Sequence, residues 1–247
     1  LFKKMKRIID LILATIGLIL VSPIILLFSF LIWRQDNSSP LYIAERIGHK
    51  GKKFKIIKLR SMVINADALG VDSTSANDPR ITKVGHLIRK FKVDEFTQFI
   101  NILKGEMSLV GPRPNVRRDV DLYTNIEKRL LSIKPGITDF SSIIFSDEGD
   151  ILKDTIDPDI AYNQLIRPWK SRLGLFYIDN SNIIIDILLI IITAVSIISR
   201  KLALILTTNL LIYMKAPSNL IKISKRKNLL KPFTPPGSDK IVNTRIL

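Results

Sequence analysis

Residues 11–33, from Leu11 to Trp33, contain no charged side chain, and this run constrains the chain more than any other feature. As one straight helix it would reach about 35 Å, enough to cross a hydrocarbon core of about 30 Å. Two features argue against a simple crossing. Both flanks are basic: Lys3, Lys4, Lys6 and Arg7 precede the run, and Arg34, Arg46, Lys50, Lys52, Lys53, Lys55, Lys58 and Arg60 follow it. Basic flanks favour the cytoplasmic side for both ends. Ser22-Pro23 also falls at the midpoint. Proline removes an amide donor and clashes with the preceding turn, while the serine hydroxyl can serve a freed carbonyl and stabilise a bend. Each arm would then be about 18 Å long, too short to cross. The expectation is a re-entrant helix–break–helix hairpin. A secretory signal is disfavoured, because the run is too long and lacks a small-x-small cleavage site. Arg7 and Asp10 stand at i, i+3 and are expected to pair; the plainer reading of Asp10 is a surface acid.

The chain has 247 residues and a formal charge of +16, which calls for an anionic partner. Residues 215–247 hold eight Lys/Arg against the single acid Asp239. Basic residues beside an apolar segment suit anionic lipid headgroups. No nucleic-acid-binding signature accompanies them, so nucleic acid is not the expected partner. There is no cysteine, which excludes thiolate chemistry and disulfides, and only His49 and His86 are present. Catalysis must rest on carboxylates, Arg and Lys.

Such residues converge in one stretch. Arg89-Lys90-Phe91-Lys92-Val93-Asp94-Glu95-Phe96-Thr97-Gln98 is followed by Gly105-Glu106-Met107-Ser108-Leu109-Val110-Gly111-Pro112-Arg113-Pro114. Two readings of the acidic pair stay open. Asp94 precedes an i, i+3, i+4, i+7 stripe of Phe96, Phe99, Ile100 and Leu103, with Gly105 ending the helix. There it is an ordinary N-cap, with Glu95 favourable in the first turn. Alternatively, Asp94 is a nucleophile, Glu95 a magnesium ligand and the arginines phosphate clamps.

The stretch from Asn77 to Pro114 resembles the catalytic core of the bacterial sugar transferases, monotopic phosphoglycosyl transferases. The matching residues are Asn77-Asp78-Pro79-Arg80-Ile81-Thr82-Lys83-Val84-Gly85, Arg89, Asp94-Glu95, Gln98, Asn101, Leu103-Lys104-Gly105 and Met107 through Pro114. Outside this block, Lys6-Arg7-Ile8-Ile9-Asp10 is similar to the family's N-terminal signature, and Ser22-Pro23 to its mid-helix break. Arg46-x-Gly48-x-x-Gly51-x-x-Phe54 with Lys58-x-Arg60-Ser61-Met62, and Lys134-Pro135-Gly136-Ile137-Thr138, resemble a strand pair and a late loop. The likeness covers roughly residues 3–195. It departs from the usual pattern at Phe96-Thr97, where Leu-Pro is common, and at Asp139-Phe140-Ser141-Ser142, where Gly-Trp-Ala-Gln is common. The chain starts almost at the Lys-Arg-x-x-Asp signature, so it looks like the minimal form. Leu1 in place of Met suggests a trimmed or alternative start.

The resemblance implies a two-step exchange. Asp94 attacks a UDP-sugar, UMP leaves, and polyprenyl (undecaprenyl) phosphate takes the sugar phosphate from the aspartate. Asp94, Glu95 and Arg89 are the implied catalytic residues, and Glu95 the ligand of Mg2+. Pro112, Arg113, Lys58, Arg60, Arg80 and Arg117 are implied to contact substrate. Lys6, Arg7, Asp10, Ser22 and Pro23 are implied to shape the membrane hairpin. The implied place is the cytoplasmic face of the bacterial inner membrane, at the start of exopolysaccharide, capsule or lipopolysaccharide synthesis, with later glycosyltransferases as possible partners. The alternative is a catalytically inactive membrane scaffold.

The expected fold is α+β, mainly helical and membrane-associated, in three parts. Residues 1–34 form the basic N-terminus and hairpin, 35–200 the catalytic domain, and 201–247 an apolar segment with a disordered basic tail. Leu41–Ile47 and Phe54–Leu59 are expected to form a small β-hairpin, and 65–80 a polar loop carrying Asp67, Gly70 and Asp72. Helices are expected over 83–92, 94–104, 119–132 and 158–173. An interfacial or core helix is expected over 183–198, where the resemblance implies a surface-lying one, and an amphipathic in-plane anchor, or a second hairpin arm, over 202–214.

Overall fold

The computed structural model describes residues 2–66 and 73–244. Leu1 and the loop positions Asp67, Gly70 and Asp72 lie outside the described residues.

The uncharged run forms one continuous helix, α1 (Phe2–Asp36), with Pro23 inside it. The expected break is absent from the hydrogen-bond pattern, and the reason is local. Pro23 cannot donate to the Ile19 carbonyl four residues back; the Ser22 hydroxyl donates to that same oxygen at 2.8 Å. Helical bonding resumes on both sides. Ile12, Ile16, Ile19, Leu20, Leu26 and Leu27 stay exposed, while Asp10, Ala14 and Ile32 are buried against the body.

Both ends of α1 are fastened to that body. Lys6 Nζ donates to Asp186 (2.5 Å), whose other oxygen accepts from the Tyr177 hydroxyl (2.5 Å). Arg7 donates to the Ile102 and Leu103 carbonyls at 2.6 and 3.1 Å, and Asp10 accepts from the Leu109 amide at 3.0 Å. The expected Arg7–Asp10 pair is therefore replaced: Arg7 serves carbonyls at a helix end, and Asp10 is buried and serves an amide. At the far end Asp36 takes a bidentate bond from Arg60, 2.6 and 2.7 Å.

The hairpin forms as expected. Strands β1 (Leu41–Ile47) and β2 (Lys53–Leu59) are antiparallel, with Leu41 opposite Leu59. Helix α2 (Lys83–Lys90) is capped by Thr82, whose side chain accepts from the Gly85 amide. Lys92 then turns the chain in a left-handed conformation, φ 53°. The expected helix over 94–104 begins instead as a 3₁₀ turn, Val93–Gln98, and becomes α3 (Phe99–Lys104) only afterwards. Asp94 thus lies inside the turn and is not an N-cap. Gly105, at φ 84°, ends α3 as expected.

Two short parallel strands follow, β3 (Ser108–Val110) and β4 (Gly136–Thr138). Between them the expected 119–132 helix splits into Arg117–Asp121 and a 3₁₀ turn, Glu127–Ser132. Glu127 is drawn fully inward to Arg167 (2.7 Å) and Ser171 (2.6 Å), which interrupts a surface helix. Asp139 caps α4 (Phe140–Ile144). The 158–173 helix is longer than expected: a first turn Pro158–Ala161 and a π turn Tyr162–Ile166 lead into α5 (Arg167–Asn180). Helices α6 (Ile183–Ile198), α7 (Arg200–Tyr213) and α8 (Ser218–Ser224) follow. The main core joins Ile56, Ile102, Met107, Phe140, Tyr177 and Leu189.

The Pro-rich segment 231–237, expected to be disordered, lies on the body. Phe233 stacks on Trp169 at 4.6 Å, its amide donates to the Gln164 carbonyl (3.0 Å), and Arg172 donates to the Thr234 carbonyl (2.8 Å). An aromatic stack and satisfied backbone offset the ordering cost that the composition alone predicts to win. The whole is a mainly helical α+β protein with one long apolar N-terminal helix.

Candidate active site

The acidic pair is positioned by β2. Thr97 Oγ1 donates to the Ile57 carbonyl (2.9 Å), and Asn101 accepts from the Ile57 amide (3.0 Å) while donating to Lys55 O (2.7 Å). These buried side chains latch the 3₁₀ turn to the strand, and the same strand carries Lys58 over the carboxylates. Lys58 Nζ lies 3.5 Å from Asp94 Oδ2 and 4.0 Å from Glu95 Oε1.

The Pro-Arg-Pro turn after β3 closes the other side. Arg113 forks onto Glu95 with bonds of 2.7 and 2.8 Å and also donates to the Ile137 carbonyl at 2.9 Å. Burial alone would raise the Glu95 carboxyl; the Arg113 and Lys58 charges outweigh it and hold the group well below the usual glutamate range. Burial would likewise discharge Arg113, but Glu95 first, and then Asp139 and Asp94, keep its guanidinium charged. Pro112 holds the turn in place, its carbonyl accepting from the Gly136 amide at 3.0 Å.

Arg89 stands behind the pair, its Nε donating to Ser61 Oγ at 2.9 Å. Burial lowers its proton affinity, and Asp94 and Asp78 oppose that shift. Lys92, which the sequence reading passed over, faces the same charges. Burial depresses its ammonium most strongly, with Glu95 opposing, and its carbonyl accepts from the Glu95 amide at 3.1 Å. Its signal was visible as a cation two residues before the acidic pair. Asp139 was also missed as a site group; it is buried and accepts from Ser141 and Ser142.

Three arginines read as substrate contacts are engaged elsewhere. Arg60 is the strut to Asp36 and also donates to Ser39 O at 2.9 Å. Arg80 forms a buried pair with Asp78 at 2.7 Å and bonds the Ala66 carbonyl. Arg117 pairs with Asp121 one turn on, at the surface. What converges is Asp94, Glu95, Lys58, Arg89, Lys92 and Arg113: four cations around two carboxylates. Such a cluster has the charge to hold a polyanion such as a diphosphate, and an ionised carboxylate is a competent nucleophile.

Among the described residues no group of three or more His, Asp or Glu side chains is arranged to hold a metal. Magnesium keeps several waters and typically takes one or two carboxylates plus substrate phosphate oxygens. Asp94 and Glu95 offer two carboxylates of that kind; both Glu95 oxygens also accept from Arg113, so a cation there would share them with the guanidinium.

Comparison with known proteins identifies the family. The sequence profile described as "Bacterial sugar transferase" matches residues 1–200. Over 109 residues the chain is 45% identical to a putative undecaprenyl-phosphate N-acetylgalactosaminyl 1-phosphate transferase of Bacillus subtilis, covering 44% of this chain and 61% of that one. It is 38% identical over 148 residues to the exopolysaccharide production protein ExoY of Sinorhizobium fredii, 54% of this chain and 66% of the relative. A UDP-N-acetylgalactosamine-undecaprenyl-phosphate N-acetylgalactosaminephosphotransferase of Aeromonas hydrophila is 32% identical over 182 residues, 69% of this chain and 42% of the relative. The chain therefore spans about two thirds or less of these curated relatives, 42% to 66% of their length. With the profile covering four fifths of its residues, the chain belongs to the bacterial sugar transferase family.

Proposed function

We propose that this protein transfers a sugar 1-phosphate from a UDP-sugar to polyprenyl phosphate, giving polyprenyl-diphosphate-sugar and UMP. The observation that carries the reading is the unequal setting of two adjacent carboxylates. Glu95 is locked by the Arg113 fork, whereas Asp94 makes only a 3.5 Å contact with Lys58 and no shorter ion pair among the described residues. Asp94 is the carboxylate free to react. Its oxygen attacks the β-phosphorus of the donor. The bond from that phosphorus to the bridging oxygen breaks, UMP departs with the oxygen, and a phosphosugar-aspartate forms. A phosphate oxygen of the polyprenyl carrier then attacks the same phosphorus and frees Asp94. Lys58, Arg89, Lys92 and Arg113 hold the diphosphate charge in a partly dry site, where fixed cations act strongly. Mg2+, held through Glu95, would supply further neutralisation of the diphosphate.

The printed names of the Bacillus and Aeromonas relatives support the donor and acceptor classes. The exposed apolar face of α1 supports a membrane location, its fastening at both ends supports a re-entrant placement, and the basic flanks favour the cytoplasmic face for the body. The test is UMP release from a panel of UDP-sugars with polyprenyl phosphate in detergent or vesicles. The wild-type chain should release UMP with at least one donor. Asp94→Asn should abolish release without altering thermal unfolding, since no helix cap is lost. Near-wild-type release by Asp94→Asn would remove the mechanism.

A further inference from the structure

Helix α7 begins where the family match ends, at residue 200, and α8 lies beyond it. Only Ser199 separates α6 from α7, and its hydroxyl accepts from the Leu202 amide at 3.3 Å. Both helices bury one face in the main core, α6 through Ile185, Leu189 and Ile192 and α7 through Ala203, Leu210 and Leu211. Their opposite faces are left outside.

Those outer faces are apolar. On α6, Ile184, Ile187, Ile191 and Ile198 are exposed and fall in an arc of about 60°, which the exposed Ile197 widens to about 140°. On α7, Leu202, Ile205 and Ile212 are 46%, 48% and 50% exposed and also fall within about 80°. The exposed cations Lys201 and Lys215 stand at the two ends of the α7 stripe, and Asn209 is its exposed polar position. A helix facing water carries charge along such an arc; contiguous exposed apolar surface marks an interface. At about 21 Å, α7 is too short to cross a bilayer.

We propose that the outer face of α7 lies in the headgroup–acyl boundary of the same leaflet that holds α1. Lys201 and Lys215 sit at the anionic headgroups, with Lys222 and Lys225 of the following segment adding to that charge. The leaflet is favoured as occupant because α1 presents an apolar surface of the same kind and the flanking charges suit anionic lipid. The segment is also bolted to the catalytic body: Arg200 and Arg226 both reach Asp147, at 2.8 and 3.1 Å. The depth of α7 therefore sets the height of the region after α4.

The native chain has no cysteine, so single labels are clean. The full chain carrying Ile205→Cys or Ile212→Cys is labelled with a nitroxide and reconstituted in phosphatidylethanolamine–phosphatidylglycerol vesicles. Leu20→Cys and Lys128→Cys serve as lipid and water references. Collision with oxygen should exceed collision with a water-soluble nickel chelate at positions 205 and 212, as at 20 and opposite to 128. Aqueous accessibility at 205 and 212 overturns the proposal, whatever position 20 shows. Exclusion of both reagents with dipolar broadening between copies overturns it too, and assigns the face to self-association. The readout needs no turnover. Lipid-facing labels in a chain that releases no UMP would refute the transfer reading and leave this one standing.

Discussion

Asp94 and Glu95 are neighbours in the chain with opposite constraints, and the difference yields predictions at single residues. Glu95 has its charged form stabilised by Arg113 and Lys58. A carboxyl depressed on folding contributes stability above its unfolded value, and that contribution disappears as pH falls toward the folded value. Glu95→Gln should therefore lower the thermal midpoint at pH 7, by the equivalent of about 2 kcal/mol for a charged hydrogen-bonded pair with some residual exposure. The gap to wild type should close as pH falls below the usual glutamate range. A gap that stays constant down to pH 3 would show that the pair does not set the carboxyl's titration. Lys92 makes the second case. It is held in left-handed backbone among the site charges, with no ion pair among the described residues. Lys92→Met should weaken UDP binding by about tenfold, the loss of one charge-assisted contact, while Lys90→Met leaves it unchanged. Equal affinities for Lys92→Met and wild type would take Lys92 out of the phosphate site.

At the scale of elements, close backbone approach is what the sequence conceals. A Cβ on Gly136 would lie 2.2 Å from the Gly111 nitrogen and 2.6 Å from its oxygen, so β3 and β4 meet through two glycines. Gly136→Ala should cost about 3 kcal/mol, the upper end for overpacking, because the obstacle is backbone. It should also loosen the Arg113 bond to Ile137 O. An unchanged unfolding midpoint would mean that the strands lie further apart than described. Three-residue strands carry no periodicity, which is why residues 134–138 read only as a loop. The hairpin, α2, the Gly105 stop and α6 were legible because each has alternation, a cap or an uninterrupted apolar run. The turn at Asp94 was not, because its apolar stripe is helical in spacing. Lys92's reversal and the Thr97 and Asn101 bonds to β2 decide its geometry. Among the site residues, the carboxylates and Arg113 were legible from their motif. The fates of Arg60 and Arg80 depended on Asp36 and Asp78 as partners, which charge counting does not reveal.

For the whole molecule, the decisive fact is that the body holds α1 at both ends. A straight 35-residue helix would extend about 52 Å, well beyond a hydrocarbon core of about 30 Å. If α1 ran straight through a bilayer, the body bonded to Lys6, Arg7 and Asp10 at one end and to Asp36 at the other would have to cross with it. Its buried ion pairs and polar loops forbid that. That constraint supports the proposed placement of both ends on one side; Ser22 serves the Ile19 carbonyl that Pro23 leaves free. Cysteines introduced at Phe2 and at Lys50 should both resist a membrane-impermeant reagent in intact cells and both react after the cells are opened. Pro23→Leu restores the missing donor and removes a helix-interior cost of about 3 kcal/mol. That favours a straighter helix and should move a fraction of position-2 cysteines to the outside. The fraction should grow when Lys6→Ala and Asp10→Ala also release the inner end from Asp186 and the Leu109 amide. Labelling of position 2 from outside in the otherwise native chain would refute the same-side placement. Protection of position 2 in the Pro23→Leu, Lys6→Ala, Asp10→Ala chain would show that these contacts do not hold the end in place.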